Sequence, residues 1–291
     1  MFADIATVIA PIFIIASIGF VWARTERPFD TEMVTTLVTN IGVPCLLFAS
    51  LTGLDITPAA FGRSSATFAV VTLAILLIGA ACLKAARLDI STYLPSVTFG
   101  NNGNMGLPLV LFAFGEPGLA LGMGPFFVST ISNVTIGVGL LSGRLTLRHL
   151  VANPYIYVIA AALVFIIGGI KPPLWLTYTV KTLGSLTIPL MLVALGVSLA
   201  RLQVKSFSRS LMLGLLRLGL GFAVGWGVAE IFGLTGAERG VLILQSAMPV
   251  AVMNFLFSTR YKRSPEEVAG MIVISTAISF ATLPVLLWVV L

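Results

Sequence analysis

Charged residues are scarce in this sequence of 291 residues. Only 10% are Asp, Glu, Lys or Arg, 58% are hydrophobic, and the mean hydropathy is +1.06. Soluble globular proteins carry about 25% charged residues, so a soluble enzyme and a nucleic-acid-binding protein are excluded. The net charge of +6 is therefore interpreted as loop charge that orients helices in a lipid bilayer. The composition predicts an all-α polytopic membrane protein.

Histidine and cysteine are almost absent. The single histidine, His149, lies in a basic loop, and the two cysteines, Cys45 and Cys82, lie in apolar stretches. This set predicts neither a histidine-ligated metal site nor a disulfide framework. No carboxylate lies deep in an apolar segment and no serine there has a histidine partner, which disfavours an intramembrane enzyme. No bound cofactor is expected.

Hydropathy and breaks in charge predict ten membrane spans joined by short connections. Their approximate ranges are 5–23, 32–52, 64–83, 91–114, 118–141, 154–170, 174–200, 207–232, 238–258 and 266–290. With the N-terminus outside, four of the seventeen basic residues lie outside and Arg217 lies within span eight. The other twelve lie on the cytoplasmic side and are Arg24, Arg27, Lys84, Arg87, Arg144, Arg148, Arg201, Lys205, Arg209, Arg260, Lys262 and Arg263. This distribution predicts an integral protein of a bacterial inner membrane, with both termini outside.

Four landmarks recur in the same order in the two halves of the sequence. The pairs are Arg27-Pro28 with Lys171-Pro172, Pro44 with Pro189, Pro108 with Pro249, and Ser129 with Ser275. Each half holds five spans, so the pattern predicts two inverted repeats, 1–141 and 154–291, joined by a cytoplasmic linker, 142–153. Inverted repeats are typical of secondary transporters, which bind substrate near the membrane midplane where broken helices meet.

Spans four and nine contain residues that disfavour a regular helix. Span four reads GNNGNMGLP over 100–108, and span nine reads QSAMP over 245–249 with Asn254 following. In a bilayer, the freed backbone groups persist only against protein or a watery cavity. If the breaks cross, two half-helix N-termini with partial positive charge face one centre, which suits an anion. The candidate substrate-binding residues here are Asn101, Asn102, Asn104, Pro108, Gln245, Pro249 and Asn254.

Two further candidates lie outside the breaks. Asn133 follows Ser129 by four residues on one face of span five, where it can serve interhelical hydrogen bonds or ligand contact. Arg217 lies about ten residues into span eight, and Glu230 is too far along that helix to pair with it. Arg217 therefore binds substrate, reaches the cytoplasmic surface, or caps the carbonyls of a broken helix.

The sequence resembles the auxin efflux carrier family, which includes plant PIN carriers and bacterial malate-permease-like proteins. The resemblance rests on the segments 40–44, 100–108, 247–251 and 275–284. It implies ten spans in an inverted five-plus-five repeat with crossing broken helices four and nine, as in sodium/bile-acid symporters and NhaA-like antiporters. It also implies organic anion substrates, a homodimer, and Pro108 and Pro249 at the crossover. The long cytoplasmic loop of plant PINs is absent.

The leading hypothesis is a secondary transporter that moves small organic anions, such as malate- or auxin-like carboxylates, by alternating access. It predicts that removing Asn102 or Asn104 abolishes uptake without unfolding the protein. The alternatives are a sodium/proton antiporter of the same architecture, which normally needs an intramembrane carboxylate, and a non-transporting membrane sensor. Coupling to sodium, to protons or to voltage alone stays open, as do the identity of the anion and the direction of transport.

Overall fold

A computed structural model describes residues 2–53, 57–144 and 154–291. The part of the linker formed by 145–153, with His149, lies outside these residues. The described residues form fourteen α-helices. They are α1 (Phe2–Arg24), α2 (Thr31–Leu37), α3 (Val43–Gly53), α4 (Pro58–Ala85), α5 (Ile90–Thr98), α6 (Leu107–Ser132), α7 (Val138–Ser142), α8 (Pro154–Ile167), α9 (Leu174–Ser185), α10 (Thr187–Arg201), α11 (Phe207–Ile231), α12 (Gly236–Ser246), α13 (Met253–Arg260) and α14 (Pro265–Val290).

Three short π-helical turns interrupt these helices, at Val38–Gly42, Asn102–Gly106 and Asn133–Gly137. Within the described ranges, seven helical segments are long and apolar enough to cross a membrane. The longest, Asn102–Ser142, has 41 residues but turns at Gly115, where φ is 67° and ψ is −161°. This turn separates predicted spans four and five, and glycine adopts it without the steric penalty of a side chain. The structure is that of an all-α membrane protein, whereas the ten-span repeat stays a prediction.

The helices pack as two bundles. In the first bundle (α1, α2, α3, α8, α9 and α10), α1 packs along α10, and α3 packs against α8 and α9. In the second bundle (α4, α5, α6, α7, α11, α12, α13 and α14), α4 and α12 pack against α6, and α11 packs along α14. The bundles meet where α1 contacts α6 and α14, and where α10 contacts the Asn102–Gly106 turn.

Glycine allows the closest helix contact within the first bundle. A Cβ atom at Gly19 of α1 would overlap the carbonyl oxygen of Val193, and one at Gly196 of α10 would overlap that of Ala16. Small residues at such contacts let two backbones approach closely in a membrane, where van der Waals packing and interhelical hydrogen bonds hold helices together. The α1–α10 pair is therefore a tightly packed unit of this bundle.

Candidate functional site

Two interrupted helical segments meet in the second bundle. Residues 99–101 follow α5 and residues 247–252 follow α12, and neither stretch is helical. The two stretches run antiparallel and are bridged at Gly100 and Val250. The flanking backbone hydrogen bonds run from the Asn101 N–H to the Pro249 carbonyl at 2.7 Å and from the Ala251 N–H to the Phe99 carbonyl at 3.2 Å. The breaks expected in spans four and nine thus satisfy part of each other's backbone, at a crossing called the crossover below.

Arg217 of α11 lies behind the crossover and is only 1% exposed. Its guanidinium donates to four backbone carbonyls, those of Val97 (3.2 Å), Thr98 (3.0 Å), Ser246 (2.9 Å) and Met248 (3.1 Å). Three of these carbonyls belong to the last residues of α5 and α12, where a helix leaves acceptors unpaired and carries partial negative charge, and the fourth, that of Met248, lies in the break after α12. One guanidinium therefore caps both half-helices. Of the alternatives for this residue, the structure supports the cap, since its hydrogen bonds go to the protein backbone.

Asn102 joins three elements at the crossover. Its Nδ2 donates to the backbone carbonyl of Gln245 at 2.7 Å and to the side-chain Oε1 of the same residue at 2.8 Å. Its Oδ1 accepts from the hydroxyl of Ser129 in α6 at 2.8 Å. A Cβ atom at Gly106 would overlap the Gln245 amide, so the glycine makes room for this network. The hydrogen-bonding groups of Asn102 are thus used to hold the fold.

Ser275 of α14 serves the other break. Its hydroxyl accepts from the backbone N–H of Val250 at 3.1 Å. Ser129 and Ser275 form one of the landmark pairs of the two sequence halves, and each bonds to one side of the crossover. Ser129 of span five and Ser275 of span ten therefore provide interhelical hydrogen bonds.

A chain of amides fixes the orientation of Asn133. The Nδ2 of Asn254 donates to the carbonyls of Pro95 and Phe99, both at 3.3 Å, and these groups can only accept. The Oδ1 of Asn254 therefore accepts from the Nδ2 of Asn133, at 3.0 Å. The Oδ1 of Asn133 is buried and has no hydrogen-bond donor among the described residues. The Nδ2 of Asn101 is also buried and has no hydrogen-bond acceptor among them.

A cavity of about 330 Å³ lies between the two bundles and reaches the crossover. The first bundle contributes α2, α10 and the start of α8, while the second contributes residues 100–104, the end of α6 with the turn after it, and α13. Four of the candidate residues line this cavity, namely Asn101, Asn102, Asn104 and Asn133. The other five, Pro108, Arg217, Gln245, Pro249 and Asn254, lie outside its lining.

The two prolines assigned to the crossover occupy different positions. Pro249 lies within the break, and its carbonyl accepts the hydrogen bond from Asn101. Pro108 lies after the break, in the first turn of α6, where a proline has no N–H to leave unpaired. The alignment of these prolines in sequence therefore does not make them equivalent in space.

Several polar residues of the cavity were missed at the level of sequence. They are Thr31, Thr35, Thr39, Thr130, Ser198 and Arg201. The first three recur every four residues, a spacing that places them on one face of a helix and could have indicated a polar lining. The sequence indicates Arg201 only as a cytoplasmic charge, because this residue directly follows predicted span seven, 174–200.

Comparison with known proteins identifies the family. The family model described as "Membrane transport protein" matches residues 4–144 and 138–287, and so covers most of the chain in two matches. The chain belongs to this family. It is the auxin efflux carrier family that the sequence motifs resemble. The protein is therefore an integral membrane protein of a transporter family.

Two archaeal relatives carry the same general description. The chain is 27% identical over 199 residues to an uncharacterised transporter of Methanocaldococcus jannaschii, a match that covers 65% of this chain and 64% of the relative. It is 24% identical over 279 residues to an uncharacterised transporter of Methanothermobacter thermautotrophicus, a match that covers 89% of this chain and 88% of the relative. Both relatives are known as transporters without a named substrate.

Proposed function

We propose that this protein is a secondary transporter that moves small organic anions, most simply carboxylates, across the membrane by alternating access. The observation that carries the proposal is the amide-lined cavity between the two bundles, at the point where two broken helices cross. Membership of a membrane transporter family supports transport in general.

The polar groups of the crossover favour an anion. Arg217 covers the C-terminal ends of α5 and α12, so their partial negative charge is offset on the side away from the cavity. Gly103 and Asn104 lie in the first turn of the second half-helix of span four and line the cavity, and the N–H groups of a first turn carry partial positive charge. Backbone N–H groups of this kind bind carboxylates well.

The position of the cavity supports alternating access. It lies between two bundles, each held together by its own helix contacts, and α10 of the first bundle packs on the Asn102–Gly106 turn of the second. Movement of one bundle against the other would expose the same site to the two sides of the membrane in turn, as inverted-repeat transporters do. The proposal includes the ten-span repeat formed by 1–141 and 154–291. A homodimer remains a prediction that rests on the family resemblance.

The antiporter alternative is less well supported by the lining. Proton exchange across a membrane normally uses a carboxylate or another titratable group within it. The described polar residues of the cavity near the crossover are amides and hydroxyls, which suit direct recognition of a carboxylate group better than proton exchange.

Uptake by the purified protein in proteoliposomes tests the proposal. The probes are radiolabelled malate and indole-3-acetate, each with and without a sodium gradient and with and without an imposed membrane potential. We expect uptake of at least one probe, saturable and competed by unlabelled carboxylates. Saturable uptake of neither probe under any of these conditions would contradict the proposal as it stands.

Two asparagine variants separate binding from folding. Asn104 is the least buried of the four cavity asparagines, so Asn104→Ala removes a group available to substrate and leaves the melting temperature unchanged. The loss of one hydrogen bond to a charged group, about 1.5–3 kcal/mol, corresponds to a KM roughly ten-fold to a hundred-fold higher. Asn102→Ala lowers the melting temperature as well, because Gln245 and Ser129 lose their partner.

The control is Asn40→Ala, which removes an exposed asparagine that does not line the cavity. We expect wild-type uptake and melting temperature for it. Wild-type kinetics for Asn104→Ala would show that the substrate does not contact this part of the cavity. The hydrogen bonds of Asn102 support a structural role, whereas the sequence predicts that this residue is dispensable for folding. Circular dichroism and thermal melting of Asn102→Ala distinguish the two.

A further inference from the structure

Arg201 is the one charged side chain that lines the cavity within the described residues. It is the last residue of α10 and is exposed, and its guanidinium donates to the hydroxyl of Thr31 and to the carbonyl of Phe29, both at 3.0 Å. A guanidinium has five N–H donors, so these two bonds leave donors free to meet an anion.

Two neighbouring basic side chains form ion pairs, whereas Arg201 forms none with the residues that the structure describes. Lys205 contacts Glu266 at 2.8 Å, and Arg209 contacts Glu267 at 2.6 Å. Within the described ranges, no carboxylate oxygen lies within the 4.0 Å of an ion pair from Arg201. Among the described residues Arg201 therefore forms no ion pair, and the acidic residues nearest in sequence to its contacts are Asp30 and Glu32, which flank Thr31.

Arg201 lies far from the crossover. Met191 marks the crossover end of α10, because its Cε lies 3.4 Å from where a Cβ atom of Gly103 would be. Ten residues separate Met191 from Arg201 on a lining helix, which corresponds to about 15 Å along the axis. A small carboxylate held by the asparagines is too short to touch both places. Arg201 therefore meets the anion before the anion reaches the site.

The cavity opens toward the predicted cytoplasmic side. The lining elements α10 and α13 run from the crossover to Arg201 and Arg260, and the α6–α7 segment leads to Arg144. The chain enters α2, whose first residue also lines the cavity, just after Arg27. All four arginines belong to the basic set that the charge distribution assigns to the cytoplasm.

We propose that Arg201 is an anion-capture residue at the mouth of the cavity, which concentrates organic anions there and so sets the KM for transport from that side of the membrane. The inference rests on the proposed function. A charge at the opening of a cleft with low-dielectric walls focuses the field and speeds the arrival of oppositely charged ligands, and salt screens this effect. Arg201 speeds the arrival of the anion at the cavity, whereas the asparagines at the crossover hold the bound anion.

The test compares Arg201→Gln, Arg201→Lys and Thr31→Val by malate or indole-3-acetate uptake across a series of salt concentrations. We expect Arg201→Gln to raise KM roughly five-fold at low ionic strength, with an unchanged maximal rate. The difference falls below about two-fold near 0.5 M salt, because the screening length is then only a few ångströms. Arg201→Lys keeps the charge and stays close to wild type.

Thr31→Val removes one hydrogen bond of Arg201 but leaves its charge. The variant therefore distinguishes capture of an anion by the charge from a purely structural role of the hydrogen bond between Arg201 and Thr31. Near-wild-type KM for Thr31→Val supports capture. A KM raised equally in Thr31→Val, Arg201→Lys and Arg201→Gln, without salt dependence, would overturn it. Arg260→Gln is the matched control, since it removes an exposed arginine of the same predicted face that does not line the cavity. It should change KM by less than Arg201→Gln does.

Membrane vesicles of opposite orientation test the sidedness. The Arg201→Gln effect is expected in inside-out vesicles, in which the predicted cytoplasmic mouth faces the added probe, and not in right-side-out vesicles. An equal effect in both orientations would contradict a role confined to one mouth. If the wild-type protein moves neither probe, the proposed function fails and the inference fails with it. If the wild type transports and Arg201→Gln matches it at every salt concentration, the inference alone fails.

Discussion

The asparagines of the crossover divide into two kinds. Asn102 and Asn254 have their amide groups used in hydrogen bonds to the protein. Asn101 and Asn133 line the cavity, and each keeps one buried polar atom that has no partner among the residues the structure describes. Leaving a buried polar group unpaired costs about 1–3 kcal/mol, so their retention at the cavity wall fits a site where polar groups are met during transport.

Arg217 gives the sharpest prediction for stability. Arg217→Met leaves the four carbonyls without their donor in a buried place, and we expect it to lower the free energy of unfolding by more than about 3 kcal/mol. Arg217→Lys keeps the charge but loses the fork geometry with which the guanidinium reaches two helix ends. We therefore expect its stability to lie between that of the wild type and that of Arg217→Met. The yield of monodisperse protein on size exclusion and the melting temperature measure both effects.

The control for Arg217 is an exposed arginine of the same bundle. Arg63 pairs with Glu238 at 3.5 Å, with 60% of the arginine side chain exposed. Exposed ion pairs contribute about 0–1 kcal/mol, so Arg63→Met is expected to change the melting temperature little. Equal stability of Arg217→Met and Arg63→Met would show that the half-helix ends do not need the guanidinium.

At the scale of elements, the irregular helices coincide with the cavity. Each of the three π-helical turns contributes residues to the lining, among them Val38, Asn102 and Asn133. A π-helical turn shifts the register of backbone hydrogen bonds and is frequent at functional sites. The interrupted parts of the fold are thus concentrated where substrate is proposed to pass.

Two glycines of α11 allow a matched test of close packing. A Cβ atom at Gly221 would overlap the backbone carbonyl oxygen of Ser246, whereas one at Gly219 would have nothing within 4 Å. Gly221→Ala must shift α11 or the end of α12, and we expect a loss of about 1–3 kcal/mol in stability. Gly219→Ala is expected to be neutral or to stabilise by up to about 1 kcal/mol, because alanine favours a helix. Thermal melting compares the stability of the two variants. Equal melting temperatures would show that α11 is not in tight contact with the end of α12 at Gly221.

Local chemistry explains which elements the sequence could predict. Three glycines and three asparagines stand together before Pro108 in span four, and such a cluster disfavours a regular helix, so the break there was predictable. A single proline is a weaker signal, because Pro125 and Pro284 lie inside helices. The partner of Arg217 was not predictable, because its acceptors are backbone carbonyls of two distant segments and leave no trace in side-chain sequence. For the same reason the pairing of Asn102 with Gln245 and the place of Arg201 in the lining emerge only from the fold.

At the scale of the whole molecule, charge and amides are separated along one path. Arg201 lies at the mouth of the cavity, Asn104 and Asn101 lie near its inner end, and Arg217 lies behind the crossover. If the proposed function holds, an anion moving inward passes from Arg201, which has no ion-pair partner in the described part of the chain, to neutral donors. Neutral donors bind an anion without the strong attraction that a buried ion pair would exert, so release on the other side stays feasible.

Alternating access requires the two bundles to move, which a cross-link can prevent. The rings of Phe13 in α1 and Phe280 in α14 have centroids 4.3 Å apart across the bundle contact. In a protein whose native cysteines are replaced by alanine, we expect a bismaleimide between Phe13→Cys and Phe280→Cys to stop uptake, because the helices can no longer slide. Malate or indole-3-acetate should still raise the melting temperature of the cross-linked protein, since ligand binding to one state stabilises it.

The control is the same reagent between Arg63→Cys and Glu238→Cys, which both lie in the second bundle, and this cross-link should leave uptake intact. Full uptake by the fully cross-linked first pair would mean that substrate crosses without relative motion of the bundles, as in a channel.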